Sequence, residues 1–304
     1  MNLRPLPHTD LLVSPLCLGT MTFGAPVGRA QAVALVHRAL DLGVNFIDTA
    51  NIYEGYRRVP GSAGGVAEEI LGEALAGRRA GVVLATKAGN AVGPGPEDRG
   101  LGAAHLRREC RRSLERLRTD YLDLFYLHRP DGDTPLEESV AAVADLIAAG
   151  HVRHWGLSNF SAIQTSQVLE VCREGGWPLP VVHQPAYSLL NRQADADLLP
   201  LCRREALAVA PYRVLEGGLL TGKYQSGVPG GSRGADKPDW IPHLQEAATL
   251  ARLRALEAEA QTTGLALFDY TLQTTAAIPG ITSLVLGMTS IPQLEAAAHA
   301  LERS

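Results

Sequence analysis

Apolar side chains recur along this chain in one repeating unit: an amphipathic stretch at helical spacing, often a closing glycine, then a short run of Val, Ile, Leu or aromatic residues. In residues 31–42, Val33, Leu35, Val36, Ala39 and Leu40 mark the helix, and Gly43 suits the left-handed turn that ends it. Asn45–Ala50 then reads as a buried strand. The spacing predicts further helices at 67–76, 103–117, 136–149, 161–174 and near 195–205. Strands are predicted at Val82–Lys87, Tyr121–His128, Val152–Ser158, Val181–Tyr187 and Leu207–Tyr212. A C-terminal helical region leads to Ser283–Gly287, and Leu11–Leu18 supplies the first strand. About eight strands separated by helices predict an α/β fold, a (β/α)8 TIM barrel forming a single domain over residues 1–304.

The rival architecture, a doubly wound nucleotide-binding domain, calls for G-x-G-x-x-G after the first strand. That turn here reads Gly19-Thr20-Met21-Thr22-Phe23-Gly24, which does not fit. One long irregular stretch, 216–242, holds seven glycines with Pro229 and Pro238, and is expected to be a lid over the barrel mouth. A second glycine-rich loop spans Gly61–Gly65.

Charge changes the picture by exclusion. A formal net charge of −4 and a pI near 6.1 leave no basic excess for a nucleic-acid backbone. The arginines of 107–118 are interleaved with Glu109 and Glu115, as on a solvated helix face. No apolar run approaches the ~20 residues of a membrane helix, and Met1–Leu12 lacks a signal-peptide layout. Cys17, Cys110, Cys172 and Cys202 lie far apart without metal-ligand spacing, so reduced thiols in a cytoplasmic protein and no metal site are expected. The partner expected is a small molecule, with the oligomeric state left open.

A parallel barrel builds its active site at the C-terminal ends of its strands. There the sequence sets Asp48 and Tyr53, Lys87, His128, Ser158 with Asn159, Gln184 and Tyr212. A carbonyl reductase needs an acid for the substrate oxygen, and a tyrosine can serve if its pKa of ~10 is lowered by a nearby cation. Lys87 is such a cation, Asp48 would hold it, and His128 would orient the carbonyl oxygen as a neutral imidazole. A metal-dependent hydrolase would need more ligands, and His183 should point away from the side that Gln184 faces.

Asp48-Thr49-Ala50-Asn51-Ile52-Tyr53, Ala85-Thr86-Lys87, Tyr126-Leu127-His128-Arg129-Pro130-Asp131 and His154-Trp155-Gly156-Leu157-Ser158-Asn159-Phe160 resemble the successive motifs of the aldo-keto reductases. The likeness continues in Gln184–Arg192, Gly217–Tyr224 and Gly287–Glu295. The resemblance implies a catalytic tetrad of Asp48, Tyr53, Lys87 and His128. It implies that Ser158, Asn159 and Gln184 bind the nicotinamide carboxamide, that Tyr212 stacks on its ring, and that Gly19, Thr20 and Met21 lie along the cofactor with Asp48. Arg213, Leu215, Gly217, Gly218, Leu220 and Lys223, with Gly287, Thr289 and Gln293, would hold the pyrophosphate and adenosine end. The implied reaction is NADP(H)-dependent reduction of an aldehyde or ketone, or oxidation of an alcohol, with NAD(H) as the alternative cofactor. A cofactor-sensing subunit similar to potassium-channel β subunits is the second reading.

The pattern departs in three places. Tyr212-Arg213-Val214-Leu215 stands where the family commonly has Tyr-Ser-Pro-Leu, so Arg213 either pairs with the pyrophosphate or points outward. Thr289 stands where a cation often meets the ribose 2′-phosphate, and Ala297 replaces a late asparagine. Structural readings also compete: Asp48 and Lys87 as a plain buried ion pair, Asn159 as a helix cap, Tyr212 as rim lining.

Overall fold

The computed structural model describes residues 1–56, 58–224, 230, 233–236 and 246–303. Two short strands, β1 (Arg4–Pro5) and β2 (Leu12–Val13), pair antiparallel ahead of the main sheet. Eight parallel strands follow: β3 (Leu16–Gly19), β4 (Phe46–Asp48), β5 (Val83–Ala88), β6 (Leu122–Leu127), β7 (Val152–Ser158), β8 (Val182–Gln184), β9 (Ala208–Val209) and β10 (Leu284–Gly287). They hydrogen-bond in the order β10-β3-β4-β5-β6-β7-β8-β9. A parallel bridge between Val209 and Ile281, with the Val285 amide donating to the Pro211 carbonyl at 3.0 Å, joins β9 to β10 and closes the (β/α)8 barrel.

The helices lie close to their predicted bounds: α1 (Arg29–Asp41), α2 (Val66–Ala74), α3 (Ala103–Leu117), α4 (Leu136–Ala148), α5 (Ala162–Gly175) and α6 (Leu198–Arg204). The C-terminal part adds α7 (Arg233–Asp236), α8 (Ala247–Thr262), α9 (Leu267–Ala276) and α10 (Ile291–Glu302). Gly43, Gly77 and Gly150 take left-handed φ just past helices α1, α2 and α4, the conformation a side chain would disfavour.

The first predicted strand is corrected. Leu11–Leu18 divides at Ser14-Pro15, because proline has no amide to give the ladder. Only Leu16–Gly19 enters the barrel, while Leu6, Leu11 and Val13 of the hairpin pack on its interior residues Cys17, Phe46 and Leu124. Strands β8 and β9 are likewise shorter than predicted, ending before Pro185 and Pro211. Pairing nonetheless resumes beyond both prolines, where the Tyr187 and Tyr212 amides bond across to the Tyr212 and Pro185 carbonyls at 3.0 Å.

Period two along the strands sorts side chains into two layers. Leu16, Leu18, Ile47, Leu84, Phe125, Leu127, Trp155, Leu157 and Val209 face the helices, and Cys17, Phe46, Val83, Ala85, Leu124, Tyr126, Val182 and Ala208 fill the barrel. Gly156 leaves room for this filling: a Cβ there would lie 2.8 Å from the Tyr126 ring and 2.5 Å from the Val182 carbonyl oxygen. The same alternation turns Asp48, Lys87, Ser158 and Gln184 inward at the C-terminal rim, because register aligns Gly287 with Gly19, Gly19 with Asp48, and Ser158 with Gln184.

Of the predicted lid, the described part comprises single-turn helix over Glu216–Thr221, kinked at left-handed Gly217 and Gly218, then Gly222–Tyr224, Gly230 and α7. The Gly234 amide of α7 donates to Tyr224 Oη at 2.9 Å. The rest of 216–242 lies outside the described residues.

Candidate active site

The rim residues meet at a buried cation. Lys87, at the end of β5 and fully buried, donates from Nζ to Asp48 Oδ2 at 2.6 Å, to the Thr49 carbonyl at 2.8 Å and to Tyr53 Oη at 3.3 Å. Three acceptors satisfy its three donors. The other Asp48 oxygen, Oδ1, accepts from Gln184 Nε2 at 2.8 Å. Burial pulls the Lys87 pKa down, but Asp48 and Tyr53 outweigh it and the net direction is up, so the ammonium is kept.

Tyr53 stands edge-on to His128, with ring centroids 6.1 Å apart at 80°. Burial raises the Tyr53 pKa and Lys87 draws it back, with the balance above the ordinary tyrosine value. The effect of Lys87 has the expected sign, but desolvation is larger, so the hydroxyl keeps its proton in the ligand-free protein. Burial, then Lys87, Arg129 and Arg58, hold His128 well below the usual imidazole range, which makes it neutral. Its Nδ1 is buried without a partner among the described residues.

A polar chain continues around the rim. Asn159 Nδ2 donates to the His128 carbonyl at 2.9 Å, Asn159 Oδ1 accepts from Tyr212 Oη at 2.8 Å, and Ser158 Oγ donates to the Gln184 carbonyl at 2.9 Å. Asn159 does not cap the following helix. Ser161 does, exchanging bonds with Gln164 in a capping box, while Asn159 sits at φ 64°. His183 turns outward to the Phe160 carbonyl at 3.1 Å, as its strand parity predicts.

A groove of about 640 Å³ opens from Tyr53, within the range of small-molecule sites. Its walls include the predicted Gly19, Thr20, Met21, Asp48, Gln184, Tyr212, Arg213, Leu215, Gly217, Gly218, Lys223, Gly287, Thr289 and Gln293. Ser158, Asn159, Lys87 and His128 support this groove without lining it. Leu220 is fully buried with Leu189, Leu256 and Leu267, so its side chain serves the core. Arg213, at φ 62°, pairs with Glu216 at 3.0 Å, and Glu216 also accepts from Ser188 Oγ at 2.9 Å. The Thr289 amide and hydroxyl both donate to Gln293 Oε1 at 3.0 Å.

Phe268 of α9 and Ala296 of α10 line the groove without having been foreseen, since a helix face gives no hint of which loop it will meet. Ala297 is core instead. Tyr56, three residues past Tyr53, belongs to this groove and to a second cavity of about 1050 Å³, which shares Met21, Tyr53 and Tyr56 with it. Among the described residues no helix is long and apolar enough to cross a membrane, and no group of His, Cys, Asp or Glu is gathered for a metal.

Residues 15–304 match the Aldo/keto reductase family. The chain is 35% identical to a probable voltage-gated potassium channel subunit beta of Oryza sativa subsp. japonica, covering 99% of this chain and 92% of that one. It is 34% identical to L-glyceraldehyde 3-phosphate reductase of Escherichia coli (strain K12), covering 99% and 88%. Aflatoxin B1 aldehyde reductase member 2 of Mus musculus is 36% identical over 73% of this chain and 59% of its own length. The chain thus belongs to the aldo/keto reductase family, NAD(P)H-using oxidoreductases of carbonyl compounds.

Proposed function

We propose that this protein reduces an aldehyde or ketone with NADPH, or runs the reverse oxidation, with Tyr53 as the proton donor. The contact of one buried lysine with both a carboxylate and the tyrosine hydroxyl carries the reading. Tyr53 gives its proton to the substrate oxygen, Lys87 stabilises the tyrosinate left behind, and Asp48 keeps Lys87 charged and in place. A neutral His128 donates a hydrogen bond to the same oxygen.

The volume and the lining of the groove support a dinucleotide as its occupant. Glycines 19, 217, 218 and 287 bring bare backbone to its surface, Arg213 and Lys223 bring cations, and Phe268, Pro292 and Ala296 bring an apolar wall. When bound, the reduced nicotinamide supplies the hydride. Ser158, Asn159 and Gln184 would hold its carboxamide, and Tyr212, oriented by its bond to Asn159, would pack on the ring. Gly217, Gly218, Arg213 and Lys223 would meet the pyrophosphate, and Gly287, Thr289 and Gln293 the adenosine end, with Leu215 and Leu220 contributing main chain or packing.

Full-length similarity to a potassium channel subunit beta favours a second reading, a cofactor-sensing regulatory subunit. Turnover of an aldehyde panel with NADPH or NADH separates the two. Under the first reading Tyr53→Phe lowers kcat by ~10²–10⁴ while cofactor affinity stays within about twofold. Wild-type rates in that variant would remove Tyr53 from the role, and tight cofactor binding without turnover of any aldehyde would favour the regulatory subunit.

A further inference from the structure

The cavity of about 1050 Å³ shares Met21, Tyr53 and Tyr56 with the dinucleotide groove, and a carbonyl substrate would reach Tyr53 through it. Among the described residues three arginines line it, Arg58, Arg99 and Arg129. Arg58 is spent on the fold: its guanidinium donates to the Ile52 carbonyl at 2.9 Å, to Ser62 Oγ at 3.0 Å and to the Ala91 carbonyl at 2.7 Å. Arg99 and Arg129 are exposed, and among the described residues neither has a hydrogen bond or ion pair.

Three neighbouring carboxylates are engaged elsewhere. Asp98, beside Arg99, pairs with Arg108 at 3.0 Å. Asp131 accepts from the Leu101, Asp133 and Thr134 amides and from the Thr134 hydroxyl. Glu54 accepts from Ser62 and faces Arg58 at 3.9 Å. Among the described residues Asp133 alone presents an unengaged carboxylate to the cavity. The two arginine-bearing loops are also tied together: Leu101, two residues past Arg99, bonds to Asp131, two past Arg129, and Gly100 donates to the Gly89 carbonyl at 3.0 Å. Both unpaired cations therefore stand on a braced mouth, and Arg129 acts with Lys87 and Arg58 to disfavour the charged form of neighbouring His128.

We propose that the substrate carries an anionic oxygen group, a phosphate or a carboxylate, gripped by Arg99 and Arg129 while its carbonyl lies at Tyr53; this rests on the reductase reading above. Guanidinium forks match both anions, which share two or more coplanar acceptor oxygens. Asp133 opposes the anion, and its removal strengthens the grip.

Steady-state kinetics with NADPH on matched pairs test it: glyceraldehyde 3-phosphate against glyceraldehyde, and succinic semialdehyde against butanal. The wild-type protein should favour the anionic member of at least one pair in kcat/KM by about tenfold or more, the range of a charge-assisted hydrogen bond. Arg99→Ala and Arg129→Ala should each cut that ratio several-fold, Lys at either position should restore part of it, and Asp133→Asn should raise it. Ratios near one in both pairs, or ratios that neither alanine variant moves, overturn the proposal even with good turnover of the neutral aldehydes, which leaves the reductase reading intact. Calorimetric binding of glycerol 3-phosphate against glycerol to the NADP+-loaded protein needs no turnover. Binding that depends on Arg99 and Arg129 without reduction of any aldehyde would sustain the anion site and overturn the reductase reading instead.

Discussion

Gln184 and Asp48, 136 positions apart in the chain, are joined by a buried hydrogen bond of 2.8 Å, so the aspartate that holds Lys87 on one oxygen is itself held on the other. That bond uses one of the two amide N–H donors and leaves Gln184 Oε1 as an acceptor for a ligand. Gln184→Ala would strand a buried acceptor and is expected to cost about 1–3 kcal/mol in denaturant unfolding. Gln184→Glu should cost more, because it sets a second carboxylate against Asp48. Equal stability of all three forms would mean that the bond is not formed in solution.

Lys87→Met removes the cation from a fully buried pair and leaves the Asp48 charge uncompensated, which is expected to cost about 3–5 kcal/mol. The same change takes away the one attraction that draws the Tyr53 pKa down. Titration of Tyr53, followed by ultraviolet difference spectra against Tyr53→Phe, should shift to higher pH in the variant. A shift in the other direction would show that Lys87 does not act on this hydroxyl.

Helices were legible because amphipathic period and closing glycines fixed α1 through α5 to within about three residues. Rim residues were legible because strand parity needs only one correct anchor: once Asp48 and Lys87 face inward, Gln184 does and His183 does not. The hairpin of Arg4–Pro5 with Leu12–Val13 escaped because only Ser14-Pro15 separates β2 from β3, and the missing amide of Pro15 marks the break. The Glu216 clasp on Arg213 and the Gln293 clasp on Thr289 escaped for a different reason. Each depends on rotamers within one loop, where spacing says which groups are near but not which are bonded.

Buried histidines set the acid limit. Burial holds His183 down to about 4, against ~6.5 unfolded, so its contribution is whole above about pH 6.5 and is lost as pH falls toward 4. That amounts to about 2 kcal/mol between pH 7 and pH 5. His128 shifts in the same sense, whereas Glu68, raised by burial, acts oppositely. Comparing wild type with His183→Gln isolates the term: the variant should lose about 2 kcal/mol less stability over that interval. Parallel losses would show that His183 does not stay neutral in the fold.

Cofactor choice is expected to turn on the loop after β10. Thr289 directs both its amide and its hydroxyl at Gln293 Oε1, and it presents no charge where a ribose 2′-phosphate is expected. A bidentate arginine at that point would contribute several kcal/mol toward NADPH, whereas a hydroxyl already engaged with its neighbour contributes little. The preference for NADPH over NADH is therefore expected to stay well below ~10³ in Kd, read by quenching of intrinsic fluorescence in paired titrations. Thr289→Arg should raise the ratio by about tenfold or more, because it adds a charge-assisted pair to one cofactor alone. A wild-type preference above ~10³ would mean that another cation of this rim meets the phosphate. Lys223, which lines the same groove, would then be the residue to replace next.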